Sequence, residues 1–331
     1  MPDATLWICE ADVVSVLDLP AAIAVLAAAF AAESDGCAVP LDKTMASFAG
    51  HGTLHALGGA AGNLAGVKAW AHTPGGADPV LLLFDASTGR IAAVTEAFAL
   101  GQLRTAGTAG LATDRLARPD ARCLGIIGTG RQALPQVAAV AAVRPIRQVR
   151  AFSRDPGHRE AFARRVREQL GLPCAAAASA AEAADGADVV TLVTRATEPV
   201  LTAAMVRPGM HINAVGAIDL ARREFEPEIL RHATVVTDSP AQARNLSAEL
   251  RDFFGAAAGR WQRVRALGEV VSGGPGRSAP GEITVFKGMG SGIADLAIGA
   301  AVLARVREAG AGTPVARGSR AVPVLTARGS P

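Results

Sequence analysis

Leu124-Gly-Ile-Ile-Gly-Thr-Gly-Arg-Gln-Ala133 is the stretch that decides the fold. An apolar run from Cys123 to Ile127 leads into Gly128, Gly130 and the small Ala133, an order that reads as strand, tight turn and helix start. Gly128 permits the sharp turn, Gly130 lets backbone approach a pyrophosphate, and Ala133 lets helix and strand pack closely. Free N–H groups at the helix start then receive the anion. Glycines also serve ordinary turns, so the triplet takes its meaning from its surroundings.

Those surroundings are an alternation of strand and helix beginning at Asp120. Candidate strands are Cys123 to Ile127, Gln148 to Phe152, Asp188 to Thr194, His211 to Val215 and Thr234 to Thr237, with helices expected from Arg131 to Ala142 and from Pro156 to Leu170. This is the pattern of an α/β fold with a doubly wound parallel sheet, whose ligands bind at the carboxyl ends of the strands. About 20 residues beyond Ala133, where an NAD site usually carries an acidic residue for the ribose diol, the chain has Ser153 and Arg154. A guanidinium beside a hydroxyl suits a 2′-phosphate, which points to NADP, with NAD as the alternative because Asp155 is next in line.

Upstream, Asp18 and Pro20 open an apolar helix from Leu19 to Ala32, too short to span a bilayer. Strands follow at Thr53 to Leu57, Leu64 to Trp70, Val80 to Phe84 and Ile91 to Val94, the last two forming a hairpin around Gly89, and a helix runs from Leu100 to Leu116. Gly268 to Gly281 reads as a loop, Gly292 to Glu308 as a long helix, and Gly310 to Pro331 as a loose tail. At 331 residues, half of them apolar and 19% charged, the chain has the length for two globular domains. Its 33 basic and 30 acidic residues are scattered, so neither a nucleic-acid nor a membrane footprint emerges, while an anionic small molecule fits. Cys9, Cys37, Cys123 and Cys174 have neither disulfide-framework nor metal-ligand spacing, and the acidic N-terminus lacks the layout of a signal peptide; a cytoplasmic protein is expected.

Four segments together resemble the ornithine cyclodeaminase and mu-crystallin family. They are Leu103-Arg-Thr-Ala106, the glycine loop, His211-Ile-Asn-Ala-Val-Gly-Ala217 with Glu224 downstream, and Thr284-Val-Phe-Lys-Gly-Met-Gly290 before Asp295. The resemblance implies a Rossmann-type NAD(P)-binding domain over residues 120–288. It implies a second α/β domain for substrate binding and dimerisation, formed by 1–119 together with 289–331, and a homodimer. It places the cofactor against Thr105, Gly128, Thr129, Gly130, Arg131, Gln132, Ala133, Ser153, Arg154, Thr194, Val215 and Gly216.

The substrate implied is a small amino or imino acid whose carboxylate is held by cations. Arg104 can grip it through two parallel bonds. Lys68 lies in an apolar strand, where a buried ammonium requires an anionic partner. Lys43 is the third candidate, against the alternative of a solvated side chain. In family members that cyclise ornithine, an aspartate stands two residues after a glycine in the loop that here reads Val215-Gly-Ala-Ile-Asp-Leu220. Ile218 takes that place and Asp219 comes one residue late, either as a base or as a turn residue. His55 and His72 are weaker candidates for substrate contact. The reaction implied is hydride transfer between NAD(P)H and the imine carbon of a small imino acid, in reverse an L-amino acid dehydrogenase. The alternatives are a cyclodeaminase-type ammonia lyase using bound NAD and a non-catalytic NADPH-dependent ligand carrier.

Overall fold

The computed structural model describes residues 4–48, 50–316, 318, 321–323 and 325. Residues 123–287 build an eight-stranded sheet in which every pairing is parallel. From one edge the strands run Cys174–Ala176, Gln148–Phe152, Cys123–Ile127, Val189–Leu192, His211–Ala214, Ile283–Lys287, Ala233–Thr237 and Val264–Ala266. The chain therefore starts in the middle, winds outward twice, and returns to the other side of Cys123–Ile127. That reversal is a topological switch point, where the crossovers diverge and leave a crevice at the carboxyl ends of the strands. Val189–Leu192 and His211–Ala214 are buried at every position, as expected for central strands covered on both faces.

Residues 5–96 and 313–315 form a second, seven-stranded sheet. Its meander, Ala38–Phe48, Gly52–Ala61, Leu64–His72, Val80–Asp85 and Ile91–Glu96, is antiparallel, and Thr5–Ile8 joins it in parallel beside Ile91–Glu96. Gly89, at φ +66°, turns the expected hairpin. The helices Leu19–Ser34 and Gly292–Ala309 pack on this sheet; the first is capped by Asp18, which accepts from the Ala21 N–H. Gly292 sits so close to the strand Gly52–Ala61 that a Cβ there would lie 2.0 Å from the Gly58 carbonyl oxygen. That approach seats the start of the last helix directly on the sheet.

The helix Phe98–Leu116 belongs to both halves, packing against Leu19–Ser34 and against Ala133–Val143. One hydrophobic cluster runs from Ile8 and Leu83 through Leu111 to Val236 and Phe286, so the two sheets share a core. Beneath it His211, fully buried, bonds Thr284 at 2.9 Å and Asn213 at 3.1 Å, and Asn213 donates to Thr113 of the shared helix at 2.9 Å. Burial lowers the His211 pKa to about 3, so the ring is neutral at physiological pH.

Several local expectations are corrected. Ala38–Phe48 is a strand despite Pro40, which is tolerated because this is the sheet edge. The supposed loop Gly268 to Gly281 begins inside a short helix, Leu267–Val271. The tail is not wholly loose: Thr313–Val315 pairs antiparallel with Thr5–Ile8, while positions 317, 319, 320, 324 and 326–331 of that expectation lie outside the described residues. The helix after the glycine loop begins at Ala133 rather than Arg131.

Candidate active site

The crevice at the switch point is a cleft of about 530 Å³ bounded by Gly128, Thr129, Gly130, Ser153, Arg154 and Thr194. Gly128 has φ +107°, and a Cβ on it would lie 2.5 Å from the Val193 carbonyl oxygen, so the turn admits no side chain. Around the position of a Cβ on Gly130 there is no atom within 4 Å: its bare backbone faces open space where a pyrophosphate can approach. Ala133 is fully buried under the strand. These residues fit a dinucleotide, whose pyrophosphate Gly128 to Ala133 could hold.

At the ribose end, Thr129 donates to the Ser153 hydroxyl at 2.9 Å and Arg154 is exposed beside it. Asp155 is engaged elsewhere. It caps the helix Pro156–Leu170 by accepting the His158 N–H at 2.7 Å.

Thr194, Val215 and Gly216 stand just past strand ends, and Glu224 ties Thr194 to Gly216. This carboxylate, fully buried, accepts from Thr194 N and Oγ1 at 2.6 and 2.9 Å, and from the N–H groups of Gly216 and Ala217 at 2.7 and 3.0 Å. Behind it Glu249 accepts the Glu224 N–H and pairs with the buried Lys287 at 3.0 Å. Four donors to one carboxylate replace the water it loses on burial.

The substrate candidates converge where the shared helix meets the last one. Lys68 Nζ lies 2.5 Å from Asp295 Oδ1, and Arg104 Nε lies 3.2 Å from the same oxygen. Lys68 is 4% exposed and Asp295 is fully buried. Burial, reinforced by Arg104, lowers the Lys68 pKa to about 8 although Asp295 opposes the shift. Arg104, Thr105 and Gln132 separate two small cavities. One, of about 210 Å³, is lined also by Val215, Ile218, Asp238 and Met289. The other, of about 240 Å³, is lined also by Lys68, Trp70, Pro79, Phe98 and Arg131.

Lys43 lies within electrostatic reach of Arg104, Asp219 and Asp238, and burial is the chief cause of its lowered pKa. Asp219 is partly exposed, accepts the Ala221 N–H at 3.0 Å and pairs with Arg222 at 3.5 Å, which is the geometry of a turn cap; Ile218 lines the cavity. His55 stacks on Trp70 with ring centroids 4.6 Å apart and 7° between planes, and Trp70 in turn lies 5.3 Å from Lys68 Nζ. Burial and then Lys43 hold the His55 pKa low.

Sequence reasoning placed Asp295 in a motif without giving it a task, and overlooked Asp238. Asp238 follows the strand Ala233–Thr237 and accepts the N–H groups of Met289 and Gly290 at 2.7 and 2.8 Å. Its burial raises its own pKa. The signal available was position: an acidic residue just past the carboxyl end of a parallel strand. Among the described residues no group of three or more His, Cys, Asp or Glu side chains is placed to hold a metal, and no single helix is long and apolar enough to cross a membrane.

Known proteins resemble the chain over this same architecture. A Δ1-pyrroline-2-carboxylate reductase of Bacillus cereus is 34% identical over 236 residues, 70% of this chain and 72% of that protein. The ketimine reductase mu-crystallin of Mus musculus is 34% identical over 220 residues, 65% and 66% of the two chains. Among solved structures, a Thermococcus litoralis Δ1-pyrroline-2-carboxylate reductase with NADH and L-proline superposes with a TM-score of 0.89. It is 29% identical, covering 94% of this chain and 100% of that one. The iminosuccinate reductase of Paracoccus denitrificans with NAD⁺ gives a TM-score of 0.88 at 27% identity, covering 95% and 100%. The model of the ornithine cyclodeaminase/mu-crystallin family matches residues 5–310, and the chain belongs to that family.

Proposed function

We propose that this protein is an NAD(P)H-dependent reductase of small imino acids, running in reverse as an L-amino acid dehydrogenase. The observation that carries the proposal is the meeting of Lys68 and Arg104 on the single carboxylate of Asp295, beside the dinucleotide cleft. Two cations against one buried anion leave a positive charge for a substrate carboxylate, with Lys43 near enough to add to it. The relatives bearing reductase names support the same reading.

A nicotinamide dinucleotide held by the loop Gly128 to Ala133 would supply the hydride for the substrate's α-carbon. The chain's own residues do the rest. Arg104 and Lys68 hold the carboxylate and thereby fix how the imine carbon is presented. Lys68 Nζ carries a proton at neutral pH and can share it with the carboxylate or the imine nitrogen. Trp70, Phe98 and Pro79 form an apolar wall that excludes water and favours a compact, uncharged substrate side chain. Thr105 lies between the two cavities, where cofactor and substrate would meet.

Ser153 and Arg154 at the ribose end, with Asp155 committed to its helix, favour NADP over NAD. In this reading residues 120–288 form the cofactor domain and 1–119 with 289–331 the substrate domain. The protein pairs as a homodimer through the exposed apolar face of Val39, Leu41, Phe48 and Leu54. Four free cysteines agree with a cytoplasmic setting.

The test is oxidation of NADPH or NADH across a panel of 2-oxo acids with ammonia or methylamine, together with cyclic imines. Turnover of at least one imino acid, lost in Arg104→Met with NADPH affinity intact, supports the proposal. Ammonia release from ornithine without net change in cofactor absorbance would instead identify a lyase. Tight NADPH binding without turnover of any member of the panel would identify a carrier.

A further inference from the structure

The parallel sheet has a second large cavity at its opposite, amino-terminal end, and its chemistry differs from that of the cofactor cleft. It measures about 510 Å³ and is bounded by Arg118, Gly186, Asp188, Arg207 and Met210. Gly186 precedes the strand Val189–Leu192 and has φ +70°, a conformation that side chains rarely adopt. The point where its side chain would begin lies 3.6 Å from Arg150 Nη1 and 3.8 Å from Arg207 Nη2. Two guanidinium groups therefore meet over one bare backbone position.

Neither has a carboxylate at ion-pair distance among the described residues. The Arg150 side chain donates, among the described residues, only to the backbone carbonyl of Asp185. The nearby acid, Asp188, is already taken: it accepts from Arg118 at 2.6 Å and from the N–H groups of Arg122 and Cys123 at 2.8 and 3.0 Å. Asp120 stands 3.5 Å from Arg118, with its side chain 73% exposed. Like charges facing one another without a counter-ion repel, and an oxyanion between them removes the repulsion and gains charge-assisted, paired hydrogen bonds.

We propose that Arg150 and Arg207, over Gly186 and with Arg118 behind them, form a binding site for a phosphate group, separate from the dinucleotide cleft. The planar forks of two arginines match the oxygens of a phosphate better than two point charges would. The bare Gly186 leaves the room in which those oxygens sit. The site stands on its own geometry and is independent of the reductase reading.

The experiment is isothermal titration calorimetry of the full chain with inorganic phosphate and, separately, with a sugar phosphate. NADPH is kept saturating so that the cofactor's own phosphate positions are filled. The expected result is saturable binding that weakens at least tenfold in Arg150→Gln/Arg207→Gln. A second variant, Gly186→Asp, places a built-in carboxylate between the guanidinium groups at a backbone conformation that Asp tolerates, and it abolishes the binding. NADPH affinity stays unchanged in both. Should the double variant fold poorly, Arg207→Gln alone, at an exposed side chain, carries the comparison. Equal affinities for the two ligands identify free phosphate as sufficient, and tighter binding of the ester identifies a phosphorylated metabolite. Absence of binding in the wild type, or equal binding in all variants, overturns the proposal.

Discussion

Replacing Lys68 with Met removes the ammonium that faces Asp295 and keeps a stem of similar length. The carboxylate left behind is fully buried; among the described residues its Oδ2 has no partner, and Oδ1 retains only Arg104 Nε at 3.2 Å. Removing one partner of a buried pair costs about 3–5 kcal/mol, chiefly because the other charge remains in a poor solvent. Arg104 still faces Asp295, with its side chain 17% exposed, so the expected loss lies near the lower end, about 3 kcal/mol. That is roughly a hundredfold in the folding equilibrium at about 1.4 kcal/mol per decade.

Urea unfolding of the cofactor-free protein, followed by circular dichroism, measures this loss. The double variant Lys68→Met/Asp295→Leu removes both charges and should recover most of the stability, since an apolar pair often does as well as a buried ionic one. Neither variant should recover turnover. A single variant as stable as the wild type would refute the reasoning, because Asp295 would then not depend on Lys68. A double variant as unstable as the single one would show that the loss comes from packing rather than charge.

Other perturbations follow from the same geometry. Because the Lys68 pKa is near 8 in the folded chain, kcat/KM for a carboxylate substrate should fall as pH rises through about 8, and a flat profile to higher pH would contradict the role given to its ammonium. The stability effect has the opposite sense: the group is depressed below its unfolded value of 10.5, so its penalty is full below about 8 and is relieved as pH rises between the two values. Gly128→Ala, forced against Val193 at a φ of +107°, should lose about 1–3 kcal/mol to strain and weaken dinucleotide binding at least tenfold, read by fluorescence titration. Arg154→Ala should weaken NADPH about tenfold and NADH little, the difference shrinking at high salt; equal effects on the two cofactors would remove the preference for NADP. Trp70→Leu should relax the selection for compact uncharged substrates, seen as a shift in the ratio of KM values between a cyclic imine and iminosuccinate.

The parallel half was legible because its signals are local. Gly128 must turn tightly, the strand Gln148–Phe152 and the helix Pro156–Leu170 carry clear propensities and caps, and all three appear with their expected boundaries or close to them. The half built on the meander was read in outline only. Ala38–Phe48 escaped because its apolar residues face outward and Pro40 interrupts the pattern, so neither burial nor alternation marks it. Thr313–Val315 escaped because a three-residue strand has no periodicity, and its partner lies at the far end of the sequence.

At the site, the cations were visible as residue types, but their anion was not. The demand for a partner at Lys68 follows from burial in an apolar strand; that Asp295 meets it, 227 positions away, depends on how closely Gly292 lets the last helix approach. Asp238 joins the site through backbone N–H groups that any residue could offer, so its place just past the end of a strand is all that marks it in the sequence.

The separation between Lys68 and Asp295 also bears on the order in which a nascent chain acquires its parts. Ribosomes release the meander first and the whole parallel sheet next, while the helix Gly292–Ala309 emerges only after both. Until then Lys68 has no counter-charge, and the face that this helix will cover stays open. The cleft at the switch point, lined wholly by earlier residues, can form first, while the surroundings of Lys68 are still waiting for this wall.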